Sequence, residues 1–255
     1  MFRHLFRCVN CLSSPSQTTF PLCEDCFKAL TEAPPLCNKC AGLSCDDVCK
    51  RKWAESPPDL RIHSYSARYL LLGPGYPVLK SWKKNHGPAL DRLILKANKT
   101  LEQVWNEFGP HLIIAVPQNP KRAWEMRGSP AHKIASWVAR VTQIPLTLSL
   151  EIQFKEKRQA ELTIYERLQN RIEFKATEDL CDKRILLVDD FVTTGKTTQA
   201  AAKACVEAGA SQIHIFSLGV RPPAENQLES TGAASAAAPS VTSAGVSAKS
   251  FGLAS

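Results

Sequence analysis

The stretch Ile185-Leu-Leu-Val-Asp-Asp-Phe-Val-Thr-Thr-Gly-Lys-Thr-Thr198 carries the strongest structural signal in this chain of 255 residues. Its four leading apolar residues predict a buried strand, and the carboxylates of Asp189 and Asp190 follow directly at the strand's carboxyl end. A hydroxyl-rich loop then enters a helix expected to run from Thr197 to Ala208. This order of strand, acidic pair, polar loop and helix is typical of an α/β fold.

The polar loop is typical of a phosphate-binding site. Hydroxyls and backbone N–H groups at a helix N-terminus can cradle a phosphate, and a glycine lets the backbone approach it closely. Asp189 and Asp190 would repel the phosphate, so we expect them to accept hydrogen bonds from the 2′- and 3′-hydroxyls of a sugar. The segment predicts a ribose 5-phosphate site, with an ordinary strand–turn–helix as the alternative. The loop residues of this site are Thr193, Thr194, Gly195, Lys196 and Thr197.

A nucleoside triphosphate P-loop is excluded, although Gly195-Lys196-Thr197 matches the end of its pattern G-x4-G-K-[ST]. The first glycine of that pattern would fall at position 190, which is Asp190. A carboxylate at that point would repel the phosphates.

The flanking sequence predicts a parallel sheet with helices on both faces, because apolar runs alternate with helical patterns. One helix is expected to begin with Ser129 as its N-cap and Pro130 in its first turn. We expect His214 to be a packed core residue rather than a ligand. The predicted strands are Leu112–Val116, Leu146–Leu150, Arg184–Val188 and Gln212–Leu218, and the predicted apolar stripe of the helix is Ile134, Trp137, Val138 and Val141.

Eight of the ten cysteines lie in the first 49 residues and form four closely spaced pairs. Two such pairs supply the four thiolates of a tetrahedral zinc site. The spacing therefore predicts two structural zinc sites, most simply paired in sequence order, with reduced, unliganded thiols as the alternative. The predicted metal ligands are Cys8, Cys11, Cys23, Cys26, Cys37, Cys40, Cys45 and Cys49.

Composition limits the possible classes of protein. Hydrophobic residues make up 44% and charged residues 22% of the chain, which excludes a fibrous or wholly disordered protein. No apolar run approaches the length of a bilayer span and no signal peptide is evident, so we expect a soluble, cytoplasmic protein without membrane insertion. The net charge of +8 favours anionic ligands. The expected regions are a zinc module (1–52), a connecting segment (53–111), the α/β domain (112–229) and a disordered Ala/Ser-rich tail (230–255).

The chain resembles the ComF family, bacterial phosphoribosyltransferase-like proteins associated with competence for DNA uptake. The loop after Asp190 resembles the phosphoribosyl pyrophosphate (PRPP) binding motif of type I phosphoribosyltransferases. The other features that carry the resemblance are the cysteine pairs, Val78–Gly87, Ala115–Arg122 with Arg127-Gly128, and Arg158-Gln159 with Glu166-Arg167 and Asn170.

The resemblance implies a type I phosphoribosyltransferase-like sheet preceded by a double zinc ribbon. It implies that Mg²⁺ accompanies PRPP, and that cations in the loop after the Leu112–Val116 strand serve the pyrophosphate. It also implies a hood over PRPP within residues 151–175, for which an exposed helix is the alternative. The implied pyrophosphate-loop residues are Lys121, Arg122, Arg127 and Gly128, and the implied hood residues are Arg158, Gln159, Arg167 and Asn170.

Three functions remain open at this level. The first is a PRPP-binding ComF-type protein that acts on incoming single-stranded DNA with other DNA-uptake proteins. The second is a metabolic phosphoribosyltransferase acting on a base or amine, although the general base of purine-salvage relatives would fall at Thr193. The third is a zinc-dependent nucleic-acid module with a vestigial PRPP loop. The sequence does not fix the acceptor, the oligomeric state or the pairing of the cysteines.

Overall fold

The computed structural model describes residues 7–8, 10–14, 21–37, 61–73, 75–84, 99–119, 124, 128–153 and 172–221. Five helices and seven strands lie in these ranges. The helices are α1 (Glu24–Lys28), α2 (Gly75–Lys84), α3 (Lys99–Phe108), α4 (Pro130–Thr142) and α5 (Lys196–Glu207). The strands are β1 (Ile62–Leu70), β2 (Leu112–Ala115), β3 (Leu146–Thr147), β4 (Leu150–Gln153), β5 (Glu173–Ala176), β6 (Arg184–Val192) and β7 (Gln212–Val220).

Five strands form the predicted parallel sheet, in the order β1-β7-β6-β2-β3. Strand β6 lies at its centre and pairs with β2 on one side and β7 on the other. The pairing with β2 ends at Ala115 opposite Val188, whereas the pairing with β7 continues to Val192 opposite Val220. The predicted strand end at Val188 was therefore too early, because β7 supplies four further residues of ladder.

Apolar side chains of β6 alternate between two cores on opposite faces of the sheet. Leu186 and Val188 pack with side chains of α2, α3 and α4, whereas Ile185 and Leu187 pack with α5 and with strands β4 and β5. All four are at most 2% exposed. Burial on both faces explains why this strand reads as a continuous apolar run, and it confirms the prediction of helices on both faces.

Helix α4 begins as the sequence predicts. The Ser129 hydroxyl accepts a hydrogen bond from the His132 backbone N–H at 3.3 Å, and Pro130 occupies the first turn. Ile134 and Val138 are fully buried against the sheet. The apolar stripe is one turn shorter than predicted, because Val141 is 62% exposed at the end of the helix.

The predicted strand Leu146–Leu150 divides into two strands that belong to different sheets. β3 pairs with β2 in the main sheet, whereas β4 pairs antiparallel with β5 in a separate two-stranded sheet. The Glu178 carboxylate accepts hydrogen bonds from Thr147 and Ser149 near this division. The polar residues Thr147 and Ser149 therefore lie where the chain passes from the main sheet to the two-stranded sheet.

The segment that the sequence left as a connection contributes to the main sheet and its core. β1 is an edge strand that pairs with β7, and residues 31–33 hydrogen-bond to its outer side. Helices α2 and α3 bury Trp82 and Phe108 on the same face as Leu186. None of the described helices has the length and apolar character to cross a membrane.

Helix α2 also packs against the N-terminal cysteine segment. A Cβ atom added at Gly75 would lie 2.2 Å from the Ala29 carbonyl oxygen, so only glycine permits this approach of the two backbones. Leu22, Cys23 and Cys26 belong to the same apolar core as Trp82. The described cysteine segment is thus packed on the sheet domain.

Candidate ribose phosphate site and cysteine cluster

The two aspartates lie on β6 just beyond the point where its pairing with β2 ends. The Asp190 backbone N–H donates to Asp189 Oδ1 at 2.8 Å, and the Phe191 backbone N–H donates to Asp190 Oδ1. Consecutive strand residues direct their side chains to opposite faces of a sheet. The two side chains therefore lie on opposite faces of the sheet at the carboxyl end of β6, and each carboxylate accepts a hydrogen bond from the backbone N–H group of the next residue.

Asp190 forms an ion pair with a helix that lies distant in sequence. Lys83 Nζ of α2 lies 2.7 Å from Asp190 Oδ2 and 5.0 Å from the centre of the Phe191 ring. The side chains of Lys83 and Asp190 are 28% and 11% exposed. This pair is partly desolvated, so solvent screens it less than an ordinary surface pair.

The surroundings of Asp189 disfavour its ionised form. Burial, together with the negative charge of Asp190, raises the pKa of Asp189 to about 8, and the Asp190 N–H group and Lys83 oppose the rise only in part. Burial thus disfavours the charged form of Asp189, whereas Asp190 has the Lys83 ammonium as its partner.

The loop after β6 opens the N-terminus of α5. Gly195 caps the helix with φ +73°, a left-handed conformation that favours glycine, and no side chain caps it among the described residues. The first i to i−4 hydrogen bond runs from the Gln199 N–H to the Gly195 carbonyl, so the preceding N–H groups point out of the helix. Thr193, Thr194 and Lys196 are exposed around this end, Gly195 is buried, and Thr197 is half-buried.

The other residues implied by the resemblance fall largely outside the described ranges. Gly128 is described, and its φ of +132° favours glycine directly before the α4 cap. Of the hood region, the structure describes only the flanks, β4 and β5, as an antiparallel pair. The residues outside the described ranges are Lys121, Arg122, Arg127, Arg158, Gln159, Arg167 and Asn170.

Four cysteines form a cluster at the N-terminus, in the pairing that sequence order predicts. The sulfur atoms of Cys8, Cys11, Cys23 and Cys26 all lie within 4.8 Å of one another, and those of Cys11 and Cys23 lie 3.5 Å apart. Tetrahedral Zn²⁺ with Zn–S bonds of about 2.3 Å places its sulfurs about 3.8 Å apart. The four cysteines therefore fit a metal such as zinc.

Local hydrogen bonds shape this cluster. The Cys26 backbone N–H lies 3.4 Å from Cys23 Sγ, and Asn10 Nδ2 donates to Cys26 Sγ at 3.3 Å. Such donors stabilise thiolates, the form in which cysteine binds metal. Of the second predicted set, the structure describes Cys37 as half-buried, whereas Cys40, Cys45 and Cys49 lie outside the described residues.

His214 is a core residue, as predicted. It is 3% exposed, and its two ring nitrogens lie 2.6 Å from the Ser64 hydroxyl and 2.7 Å from the Ser66 hydroxyl. Burial lowers the pKa of His214 to about 3, with a smaller contribution from His63. A neutral ring held by two serines on the neighbouring strand serves packing of β1 on β7.

Lys83 is the site residue that sequence reasoning did not assign. It lies in Val78–Gly87, which carries part of the family resemblance, but nothing in its local pattern distinguishes it from Lys80. The distinction is tertiary: Lys83 meets Asp190, whereas Lys80 is exposed. The adjacent buried Trp82 is the nearest sequence signal, since it fixes which face of α2 meets the sheet.

Comparison with known proteins agrees with this reading of the fold. Residues 129–233 match the model of the Phosphoribosyl transferase domain, a range that includes α4, β6, the polar loop and α5. The fold is phosphoribosyltransferase-like, with a parallel five-stranded sheet between helices. The chain therefore carries a phosphoribosyltransferase-type domain. A search of curated proteins found no match.

Several solved structures are similar to parts of the chain. A purine phosphoribosyltransferase from Pyrococcus horikoshii is 25% identical, with 51% of this chain and 72% of that chain covered and a TM-score of 0.35. The protein TT1426 from Thermus thermophilus is 14% identical, with coverages of 54% and 78% and a TM-score of 0.34. The UMP synthase of Leishmania donovani is 22% identical, with coverages of 57% and 25% and a TM-score of 0.31.

Proposed function

We propose that the chain binds PRPP at the carboxyl end of β6 and the N-terminus of α5. The proposal depends on one observation. The Asp190 carboxylate is paired with Lys83, and five residues later Gly195 begins a helix without a side-chain hydrogen bond at its N-cap. Ligands of parallel sheets bind at the carboxyl ends of the strands. The match of this segment to a phosphoribosyltransferase domain supports the same ligand.

The 5-phosphate of PRPP would lie at the start of α5. The N–H groups of its first turn and the hydroxyls of Thr193, Thr194 and Thr197 offer donors to the phosphate oxygens. Gly195 holds the tight turn that exposes them. The ribose hydroxyls would donate to Asp189 and Asp190 on the other side of the loop.

The pyrophosphate would be neutralised by Mg²⁺ and by cations of the loop that follows β2. Carboxylate oxygens such as those of Asp190 are ligands that Mg²⁺ prefers, so the chemistry of the site fits this ion. Mg²⁺ supplies charge neutralisation for the leaving pyrophosphate when it is bound. We propose Lys121, Arg122 and Arg127 with Gly128 for the pyrophosphate, and Arg158, Gln159, Arg167 and Asn170 for a closing hood.

The cellular role that we propose is that of the ComF type, in the handling of incoming single-stranded DNA. Support comes from the resemblance in the ordered motifs, from the cysteine cluster packed on the domain, and from the net charge of +8. A transferase that modifies a base or amine is the competing role. The position of the purine-salvage general base is Thr193, whose hydroxyl is a poor base near neutral pH.

Calorimetric titration with Mg²⁺ and PRPP tests the binding proposal. We expect saturable binding by the wild-type chain and a loss of about 1–3 kcal/mol in Asp190→Ala, the cost of removing a charged acceptor. The matched control is Glu207→Ala, which removes a carboxylate from the opposite end of α5, where it is exposed. Absence of binding at millimolar ligand would overturn the proposal.

The two roles are separated by a second pair of measurements. The ComF-type role predicts binding of a single-stranded oligonucleotide by the full chain, and the metabolic role predicts pyrophosphate release from PRPP in the presence of a base or amine. Oligonucleotide binding that persists in Asp190→Ala would place the nucleic-acid surface away from the PRPP site.

A further inference from the structure

We propose that Lys83 is a positioning residue of the ribose site, which holds Asp190 as an ionised acceptor oriented toward the ribose hydroxyls. The inference rests on the proposed PRPP function and deepens it. Lys83 comes from α2, outside the residues that match the phosphoribosyltransferase domain model.

Asp190 is held on both of its oxygens. Oδ1 accepts the Phe191 backbone N–H, and Oδ2 accepts the Lys83 ammonium at 2.7 Å. An ionised carboxylate oxygen has two lone pairs, so each oxygen keeps one acceptor position for a ligand hydroxyl. These two hydrogen-bond partners fix the rotation of the Asp190 carboxylate plane. The acceptor positions that remain then determine where a ribose hydroxyl can bind.

The ionisation state of Asp190 decides whether it can perform this role. A protonated carboxyl group presents a donor where the ribose hydroxyls need acceptors. Two charged groups act on the neighbouring Asp189, namely Asp190 on the same strand and Lys83 on α2. The Lys83 ammonium, 2.7 Å from Asp190 Oδ2, stabilises the negative charge on Asp190.

The position of Lys83 is determined by its surroundings. Trp82 beside it on α2 is fully buried, and the ring of Phe191 lies 5.0 Å from the Lys83 ammonium. A cation over an aromatic face gains a further attraction. The ammonium also lies one residue from the C-terminus of α2, where the helix dipole favours positive charge.

The test compares Lys83→Met and Lys83→Arg with Lys80→Met, which removes an exposed cation from the same helix. Loss of a charged hydrogen-bond partner predicts that Lys83→Met binds Mg-PRPP and ribose 5-phosphate more weakly, by about ten- to a hundredfold. Lys83→Arg should recover most of this loss and Lys80→Met should show none. Circular dichroism confirms folding, and Lys83→Gln replaces any variant that does not fold.

Rescue by the conservative variant distinguishes positioning from a merely structural contribution. Lys83→Arg keeps a cation beside Asp190 and should retain affinity, whereas Lys83→Gln keeps a polar side chain without the charge and should lose affinity as Lys83→Met does.

The outcomes separate the two claims. Wild-type protein that binds neither ligand overturns the proposed function and the role of Lys83 with it. Wild-type protein that binds both, with Lys83→Met equal to it in affinity for each, overturns the role of Lys83 alone.

Discussion

Asp189 and Asp190 are adjacent carboxylates, and the backbone N–H of the second donates to the side chain of the first at 2.8 Å. This bond holds the Asp189 carboxyl group against the backbone of its own strand. Asp190 instead meets the Lys83 ammonium. Two residues of identical chemistry therefore have different surroundings, since burial raises the pKa of Asp189 and an ammonium pairs with Asp190.

The raised pKa of Asp189 predicts a pH dependence of stability. The group titrates near 3.8 when unfolded and near 8 when folded, so the folded state binds the proton more tightly between these values. The free energy of unfolding should fall as the pH rises through that range. In Asp189→Asn this part of the fall should disappear, which urea denaturation at pH 5, 7 and 9 would measure. An identical pH dependence in both proteins would show that Asp189 is ionised at neutral pH.

The two ends of PRPP should respond to different substitutions. Thr194→Val removes a hydroxyl at the proposed phosphate loop, so it should weaken ribose 5-phosphate and PRPP by the same factor, about 1 kcal/mol in free energy. Arg127→Ala should weaken PRPP more than ribose 5-phosphate, because only PRPP carries the pyrophosphate. Calorimetry with both ligands provides the comparison, and equal losses in Arg127→Ala would remove Arg127 from the pyrophosphate site.

The cysteine cluster predicts a metal content. Purified, reduced protein should contain at least one zinc ion per chain from Cys8, Cys11, Cys23 and Cys26, and a second if the later cysteines form their own site. Cys8→Ser or Cys23→Ser should lower the soluble yield, whereas Cys181→Ser, at an exposed cysteine outside the cluster, should not. Metal analysis that finds less than one equivalent in wild-type protein would contradict the prediction.

His214 should remain neutral throughout the physiological range. Its pKa is lowered to about 3 by burial, so its ring resonances should not titrate between pH 5 and pH 8 in NMR spectra of the folded protein. The unfolded histidine takes up a proton near pH 6.5, and the folded protein should therefore lose stability as the pH falls below that value. A His214 titration midpoint near 6.5 would show that the ring is open to water.

The sequence was most informative where one strand is buried on both faces. The run Ile185–Val188 and the helix after Gly195 were predicted to within a few residues, because continuous apolar character and an alanine-rich helix closed by a glycine, Gly209, are local signals. The Ser129 cap is local in the same sense. By contrast, the end of β6 at Val192 depends on pairing with β7, which no local pattern reveals.

Elements that depend on contacts with distant parts of the chain could not be predicted from local patterns. β1 contains the polar residues Ser64 and Ser66, whose hydroxyls hydrogen-bond to His214 on the neighbouring strand. Helix α2 lies in the segment that was predicted as a connection, and the contact of Lys83 follows from where the sheet places Asp190. Both cases depend on contacts between residues more than one hundred positions apart.

The close approach of Gly75 to Ala29 couples metal availability to the amount of folded protein. The cysteine segment and the sheet share one apolar core, so any metal that binds only the folded cluster stabilises the whole domain by mass action. A metal present at about one hundred times its dissociation constant would contribute about 2.7 kcal/mol, a large share of the stability of an ordinary domain. Depletion of the metal would then lower the concentration of folded chains, with no change in the residues that contact the ligand.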